Sequence, residues 1–290
     1  MGDCNMKIAI SGASGFIGRY LSQYFIDKGY TIFPLSRKSF EDEFNSELID
    51  ILSQSDVVIN LAGAPINRRW TKAYKKELYD SRIITTRKLV NAINHTTTKP
   101  KVLISTSAVG YYPSEGYYDE YNSIKGNGFL SNLCEQWEKE ATKVSPDVRL
   151  VITRFGVVLA PKGGAFDKMM LPAKFGVATI IARGDQPFPW IDIEDLALAL
   201  EHIIGKSTLD GEVNLVAPQQ ISNRELMLSA AKYYNSLFTI RIPAFVFRVL
   251  LGESAEFITE GQRVYPRKLL DSGFIFKTKT ISDFFQNLPK

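Results

Sequence analysis

Short runs that are apolar throughout alternate, over the first half of the chain, with longer stretches in which apolar positions recur every three or four residues. Lys7-Ile-Ala-Ile-Ser11, Asp56-Val-Val-Ile-Asn-Leu61, Lys101-Val-Leu-Ile-Ser105 and Arg149-Leu-Val-Ile-Thr153 are of the first kind, with Tyr30-Thr-Ile-Phe-Pro-Leu35 a further strand. A strand without polar alternation is buried on both faces, as in parallel sheets. Between these runs, Ile17, Tyr20, Leu21, Tyr24 and Phe25 share one helical face. The clearest later helices run from Thr71 to about Asn94 and from Phe129 to about Thr142. Strands alternating with helices of this length predict βαβ units and a doubly wound parallel sheet.

After about residue 160 the rhythm breaks. Gly163, Gly164, Gly176, Gly184, Pro187 and Pro189 punctuate a loop-rich stretch before a helix from Asp192 to about Ile204 and a strand at Glu212-Val-Asn-Leu-Val216. The remainder, about 220 to 290, reads as two or three helices. The expected division is a cofactor-type sheet over 1–160, rejoined by 190–216, and a smaller α/β lobe from 161–189 and 217–290 that shapes a substrate cleft. No flexible linker separates them, so the lobes should share an interface.

Composition narrows the chemistry. With 45% hydrophobic and 23% charged residues in 290, the chain is globular, and 35 basic against 31 acidic residues give no case for nucleic acid. The basic and aromatic stretch Arg68-Arg-Trp-Thr-Lys-Ala-Tyr-Lys-Lys76 reads as a helix entry, and Trp137 as core. Two cysteines, Cys4 and Cys134, make neither a disulfide framework nor a metal clip, and fit a cytoplasmic, reducing setting. Only His95 and His202 are present, both read as structural, so no metal site is expected. Neither a signal peptide nor a membrane span is legible. A small molecule is the expected partner, with a homodimer as the assembly to consider.

Gly12-Ala-Ser-Gly-Phe-Ile-Gly18 follows the first strand and opens the first helix. In that setting backbone amides and the helix N-terminus face a diphosphate, and absent side chains let it approach. Gly12, Ser14, Gly15, Phe16, Ile17 and Gly18 are therefore candidate dinucleotide contacts in a Rossmann-type fold. After the second strand stands Ser36-Arg37-Lys38, with no acid until Glu41. An acid there would accept from the ribose 2′-hydroxyl of NAD, whereas a guanidinium pairs with the 2′-phosphate of NADP. NADP is the expected cofactor, with Ser36, Arg37 and Lys38 around that phosphate.

From the glycine motif together with Asn60-Leu-Ala-Gly-Ala64, Ser81-Arg82, Ser105-Thr-Ser-Ala-Val-Gly-Tyr-Tyr112, Arg154-Phe-Gly-Val-Val-Leu159 and Pro189-Trp-Ile-Asp-Ile-Glu-Asp195, the chain resembles the extended short-chain dehydrogenase/reductases. Within them it is similar to the atypical, nucleoside-diphosphate-sugar epimerase-like branch, and Gln262-Arg-Val-Tyr-Pro-Arg-Lys-Leu-Leu270 resembles that branch's C-terminal segment. The resemblance implies that Leu61, Ala62 and Gly63 line the adenosine side, Ser105 the nicotinamide ribose, and Gly156 and Val157 the nicotinamide. It also implies a catalytic role for Ser107, with Tyr111 and Tyr112 facing substrate.

One part of the family pattern is missing. Its chemistry uses a Tyr whose pKa is lowered by a Lys four residues later, and a free phenol near pKa 10 is a poor base at neutral pH. In Phe129-Leu-Ser-Asn-Leu-Cys-Glu-Gln-Trp-Glu138, with Glu138 as the motif's acid, those positions hold Leu130 and Cys134. A literal Tyr121-Asn-Ser-Ile-Lys125 exists, but Gly126-Asn-Gly128 would break its helix. Tyr111 and Tyr121 with Lys125 are therefore alternative proton donors. Arg154, ending a buried-type strand, needs a partner: a substrate carboxylate or phosphate, or an internal acid. The function expected is an NADP(H)-dependent oxidoreductase or epimerase on a small, nucleotide-sugar-like substrate. The alternative is a catalytically silent NADP(H)-binding sensor or regulator.

Overall fold

The computed structural model describes residues 6–42 and 45–289; Cys4 lies outside them. The first half runs β1 (Lys7–Ser11), α1 (Phe16–Asp27), β2 (Thr31–Leu35), α2 (Ser46–Ser53), β3 (Val57–Asn60), α3 (Lys72–Tyr79), a π-helical turn (Asp80–Ile84), α4 (Thr85–His95), β4 (Val102–Ala108), α5 (Phe129–Ala141) and β5 (Arg149–Phe155). Then follow β6 (Val157–Leu159), α6 (Gly164–Lys174), β7 (Val177–Ile181), β8 (Trp190–Asp192), α7 (Ile193–Gly205), β9 (Gly211–Leu215) and α8 (Asn223–Tyr234). The chain closes with β10 (Phe238–Ile242), α9 (Ala244–Leu251), α10 (Glu256–Thr259), α11 (Arg267–Asp271) and α12 (Ile281–Gln286).

Six parallel strands form one sheet in the order β2-β1-β3-β4-β5-β9. Successive side chains leave opposite faces of each strand, so the all-apolar runs supply two cores. Ile8, Ile10, Val57, Ile59, Val102 and Ile104 pack beneath α1 and α7. Ala9, Val58 and Leu103 pack on the other face beneath α2 and α4. This is the Rossmann-like α/β fold that the periodicity predicts. The long helix expected from Thr71 is really α3 and α4 joined through the π turn.

A separate core, away from the two faces of the sheet, gathers Phe166, Met170, Ala178, Trp190, Met227 and Phe284 from α6, β7, β8, α8 and α12. Its two-stranded sheet pairs β7 with β10, and β6 pairs with β8. The stretch expected to be loop-rich thus contains a helix, α6, with Pro172 near its end, and the described tail holds a strand and five α-helices rather than two or three helices alone. No described helix is long and apolar enough to cross a membrane.

Candidate cofactor and substrate site

The chain leaves β1 at Gly12, whose φ of +72° is one that side chains rarely adopt. A Cβ there would also lie 3.0 Å from the Leu61 carbonyl carbon. In the first turn of α1, a Cβ on Gly18 would come within 2.2 Å of the Gly12 oxygen. Only glycine at both positions lets α1 start this close to the ends of β1 and β3. Gly15 caps α1 with no side-chain bond, and no acid stands in its first turn. The positive end of α1 is therefore left for an anion. It lies at the switch point where β2 and β3 fall on opposite sides of β1, the crevice in which such sheets bind ligands.

Buried polar side chains fix the neighbouring turn. Ser11 Oγ donates to Asn60 Oδ1 (2.6 Å) and accepts from the amides of Leu61 and Ala62 (3.2 and 3.3 Å). Asn60 Nδ2 and Trp137 Nε1 both donate to Thr86 Oγ1 (2.8 and 2.9 Å). Sequence reasoning missed Ser11 and Thr86, which look like ordinary small polar residues until the strands are paired.

On the other side of β4, Glu138 on α5 receives Arg154 bidentately, Nε to Oε1 at 2.8 Å and Nη2 to Oε2 at 2.7 Å. Ser107 Oγ donates to the same Oε1 at 2.6 Å. Arg154 Nη1 donates to the Tyr112 hydroxyl (2.9 Å) and to Ser123 Oγ (2.7 Å). The Tyr112 hydroxyl in turn donates to Asn214 Oδ1 (2.9 Å), and the Asn214 backbone N–H donates to Glu120 Oε1 (2.8 Å). Glu120 also accepts the backbone amides of Arg267 and Lys268, so the network ties β4, β5, β9 and the C-terminal segment together.

The guanidinium carbon of Arg154 stands 3.7 Å from the centre of the half-buried Tyr111 ring. Burial raises the Tyr111 pKa above 10 while Arg154 opposes the rise. A cavity of about 150 Å³ opens nearby, lined by Pro189, Val216, Gln220 and Arg263. Pro189 and Val216 are also the neighbours a Cβ on Gly156 would strike, at 2.9 Å. The strap 252–256 reaches back to the first half of the chain through a Lys75–Glu253 ion pair of 2.6 Å.

Comparison with known proteins places this architecture. The model of the NAD dependent epimerase/dehydratase family matches residues 8–216, and a domain of unknown function, DUF1731, matches 242–288. The chain belongs to the NAD dependent epimerase/dehydratase family. Among relatives of this epimerase-family chain, the Arabidopsis thaliana chloroplastic SDR39U1 homolog is 33% identical, covering 97% of this chain and 86% of that one. Epimerase family protein YfhF of Bacillus subtilis is 34% identical over 93% of this chain and 94% of its own. The structure of human SDR39U1 (isoform 2) with NADPH superposes with a TM-score of 0.89 at 31% identity, covering 98% and 99% of the two chains.

Leu130 and Cys134, which the resemblance sets at the family's Tyr and Lys positions, both lie on α5 of this epimerase-family chain. The Cys134 thiol is buried, adjoins Ser107 and the Ala108 carbonyl, and is pushed up to about 12 by desolvation, which makes it inert. Tyr121 is 67% exposed on a loop, and Lys125 pairs with Glu135 (2.8 Å) and Asn132 (3.0 Å). No helix brings these two together. Arg154 and Tyr112, both expected to face substrate, are each 1% exposed, and their polar atoms are turned on internal partners. Arg154 has found the internal acid. Ser105 and Ser107 are also 1% exposed at the end of β4, whereas Ser14, Ser36, Arg37, Lys38 and Gly63 reach the surface. Phe16, Ile17, Leu61, Ala62, Gly156 and Val157 are half-buried along the crevice.

Proposed function

We propose that the chain is an NADP(H)-dependent oxidoreductase or epimerase acting on a small carbonyl or secondary-alcohol substrate, nucleotide sugars being the first class to test. The observation that carries this reading is the uncapped end of α1 behind Gly12 and Gly18 at the switch point. Support comes from the NADPH bound in human SDR39U1. Arg37 and Lys38 follow β2 directly, exposed and without an ion pair among the described residues, which suits the 2′-phosphate. The glycine turn would hold the diphosphate, Leu61 to Gly63 the adenosine side, and Gly156 and Val157 the nicotinamide, beside the cavity that would take substrate. The cofactor supplies or accepts a hydride.

The proton chemistry falls to hydroxyls. A Tyr111 phenol that stays protonated at neutral pH donates to a carbonyl oxygen in the reductive direction, and its ring lies on the Arg154 cation that steadies it. The Ser107 hydroxyl donates its hydrogen bond to Glu138, so toward a substrate hydroxyl its oxygen would act as an acceptor. A panel of carbonyl compounds, including keto-sugar nucleotides, tests this by NADPH oxidation. Tyr111→Phe should cost about 100-fold in turnover, with Tyr121→Phe unchanged; undiminished turnover in Tyr111→Phe would remove Tyr111 as the donor. The second reading, a silent sensor, is favoured by Leu130 and Cys134 at the family's catalytic positions. Tight NADPH binding without turnover across the panel would establish it.

A further inference from the structure

The smaller lobe carries a sheet with an open edge. β10 pairs with β7 on one side, and no described strand lies on its other side. The pairing sets Thr239 beside Ala178 and Arg241 beside Ile180, the β7 residues that turn into the core. Phe238, Ile240 and Ile242 therefore share the opposite face with Val177, Thr179 and Ile181. Phe238 and Ile240 stay 65% and 46% exposed there. The apolar face continues into the turns that feed it. The Phe238 amide donates to the Gly176 carbonyl (3.0 Å), and Phe175 and Leu237, the residues just before these two, are each 81% exposed. Edge strands are usually blunted by lysine, proline or a bulge, but β10 has only Arg241, and Pro243 comes after its last residue.

The backbone decides what can sit on this edge. With the Phe238 amide spent on Gly176 and the Ile242 carbonyl accepting from the Ala182 amide (2.8 Å), residues 238, 240 and 242 turn their backbone groups toward β7. By alternation the N–H and C=O of Thr239 and Arg241 point out of the open edge. Two such residues, one position either side of Ile240, are self-complementary. About a twofold axis through Ile240, Thr239 faces the partner's Arg241 and exchanges both backbone bonds with it, four bonds in all. Ile240 then faces the partner's Ile240, and Phe238 the partner's Ile242, while no two like charges meet. The same register sets Leu237 against the partner's Pro243, where the partner's α9 begins. That helix buries none of its own side chains. The area agrees with this arrangement: Phe175, Phe238 and Phe245, 65–81% exposed, present roughly 400 Å². Exposed Leu237, Ile240, Val249 and Leu250 bring the face toward the roughly 800 Å² that each partner gives to a stable interface.

We propose that the chain forms a symmetric dimer in which two copies of β10 join antiparallel along their open edges, making one four-stranded sheet in the order β7-β10-β10-β7. The proposal stands independently of the cofactor reading.

Sedimentation velocity over a concentration series reaching the high micromolar range tests it. The wild type should sediment as a dimer. Ile240→Lys, which sets two ammonium groups face to face on the axis, should raise the dimer dissociation constant at least about ten-fold. Substitutions at exposed Thr239 read the register. Opposite the partner's Arg241, Thr239→Glu should tighten the dimer and Thr239→Lys loosen it, each by about two-fold or more. A wild type that stays monomeric overturns the proposal, as does a dimer that Ile240→Lys leaves intact or that the two Thr239 variants move alike. If Ile240→Lys does not fold, the Thr239 pair decides. A monomer that floats with anionic phospholipid vesicles would also overturn it, giving the face to a membrane surface.

Discussion

Replacing Glu138 by Gln should expose how much of the fold rests on the buried pair with Arg154. The substitution keeps the shape of the side chain and one acceptor, but it removes the charge opposite a guanidinium that is only 1% exposed. Two charge-assisted bonds, of 2.8 and 2.7 Å, lose their anion, and the new amide turns N–H toward N–H. Nothing else described can neutralise Arg154, since its remaining partners are the hydroxyls of Tyr112 and Ser123. Breaking one side of such a pair costs about 3–5 kcal/mol. At about 2–4 °C per kcal/mol for a chain of this order of size, Glu138→Gln should melt roughly 6–20 °C lower. Urea unfolding followed by circular dichroism measures the free energy directly. The double variant Glu138→Met with Arg154→Met is the control, because removing both charges leaves nothing uncompensated and should recover most of the loss. A loss below about 1 kcal/mol in Glu138→Gln, or a double variant as unstable as the sum of the two single ones, would refute the reasoning.

Gly18→Ala places a methyl 2.2 Å from the Gly12 oxygen, so α1 must shift and NADPH affinity, read by nicotinamide fluorescence, should fall about 100-fold or more; unchanged affinity would place the diphosphate elsewhere. Arg37→Ala should weaken NADPH at least about ten-fold and NADH little, whereas equal losses would sink the 2′-phosphate assignment. Burial pushes the Asp192 carboxyl up to about 6 from the ordinary 3.8, so between those values the native chain holds a proton that the unfolded chain has released. Stability from this group therefore falls as pH rises from about 4 to 6 and is level above that. Asp192→Asn should remove the fall and gain up to about 3 kcal/mol at pH 7; a urea midpoint with the wild type's pH slope would contradict it.

The strands were legible because burial on both faces writes an uninterrupted apolar run, and the glycine turn because its spacing has one physical use. Elements whose sequence argues against them were not. Gly163, Gly164 and Gly176 read as loop, yet α6 survives because Phe166, Met170 and Ala173 bury one face against the separate core around Trp190 and Phe284. β10 cannot be recognised without β7, its partner some 60 residues earlier. The polar network was half legible: Ser107, Tyr112, Glu138 and Arg154 each stood out. No local rule joins a carboxylate to a guanidinium 16 residues away on another element, and only the register of β4 with β5 brings Ser107 opposite Arg154.

The most direct measurement is a parallel titration of the wild-type protein with NADPH and NADH, following nicotinamide fluorescence at constant ionic strength. Saturable binding of NADPH with a dissociation constant in the micromolar range, and NADH at least about ten-fold weaker, is the expected result. Binding of neither, or of both alike, would contradict an NADP(H) site built on the glycine turn and Arg37.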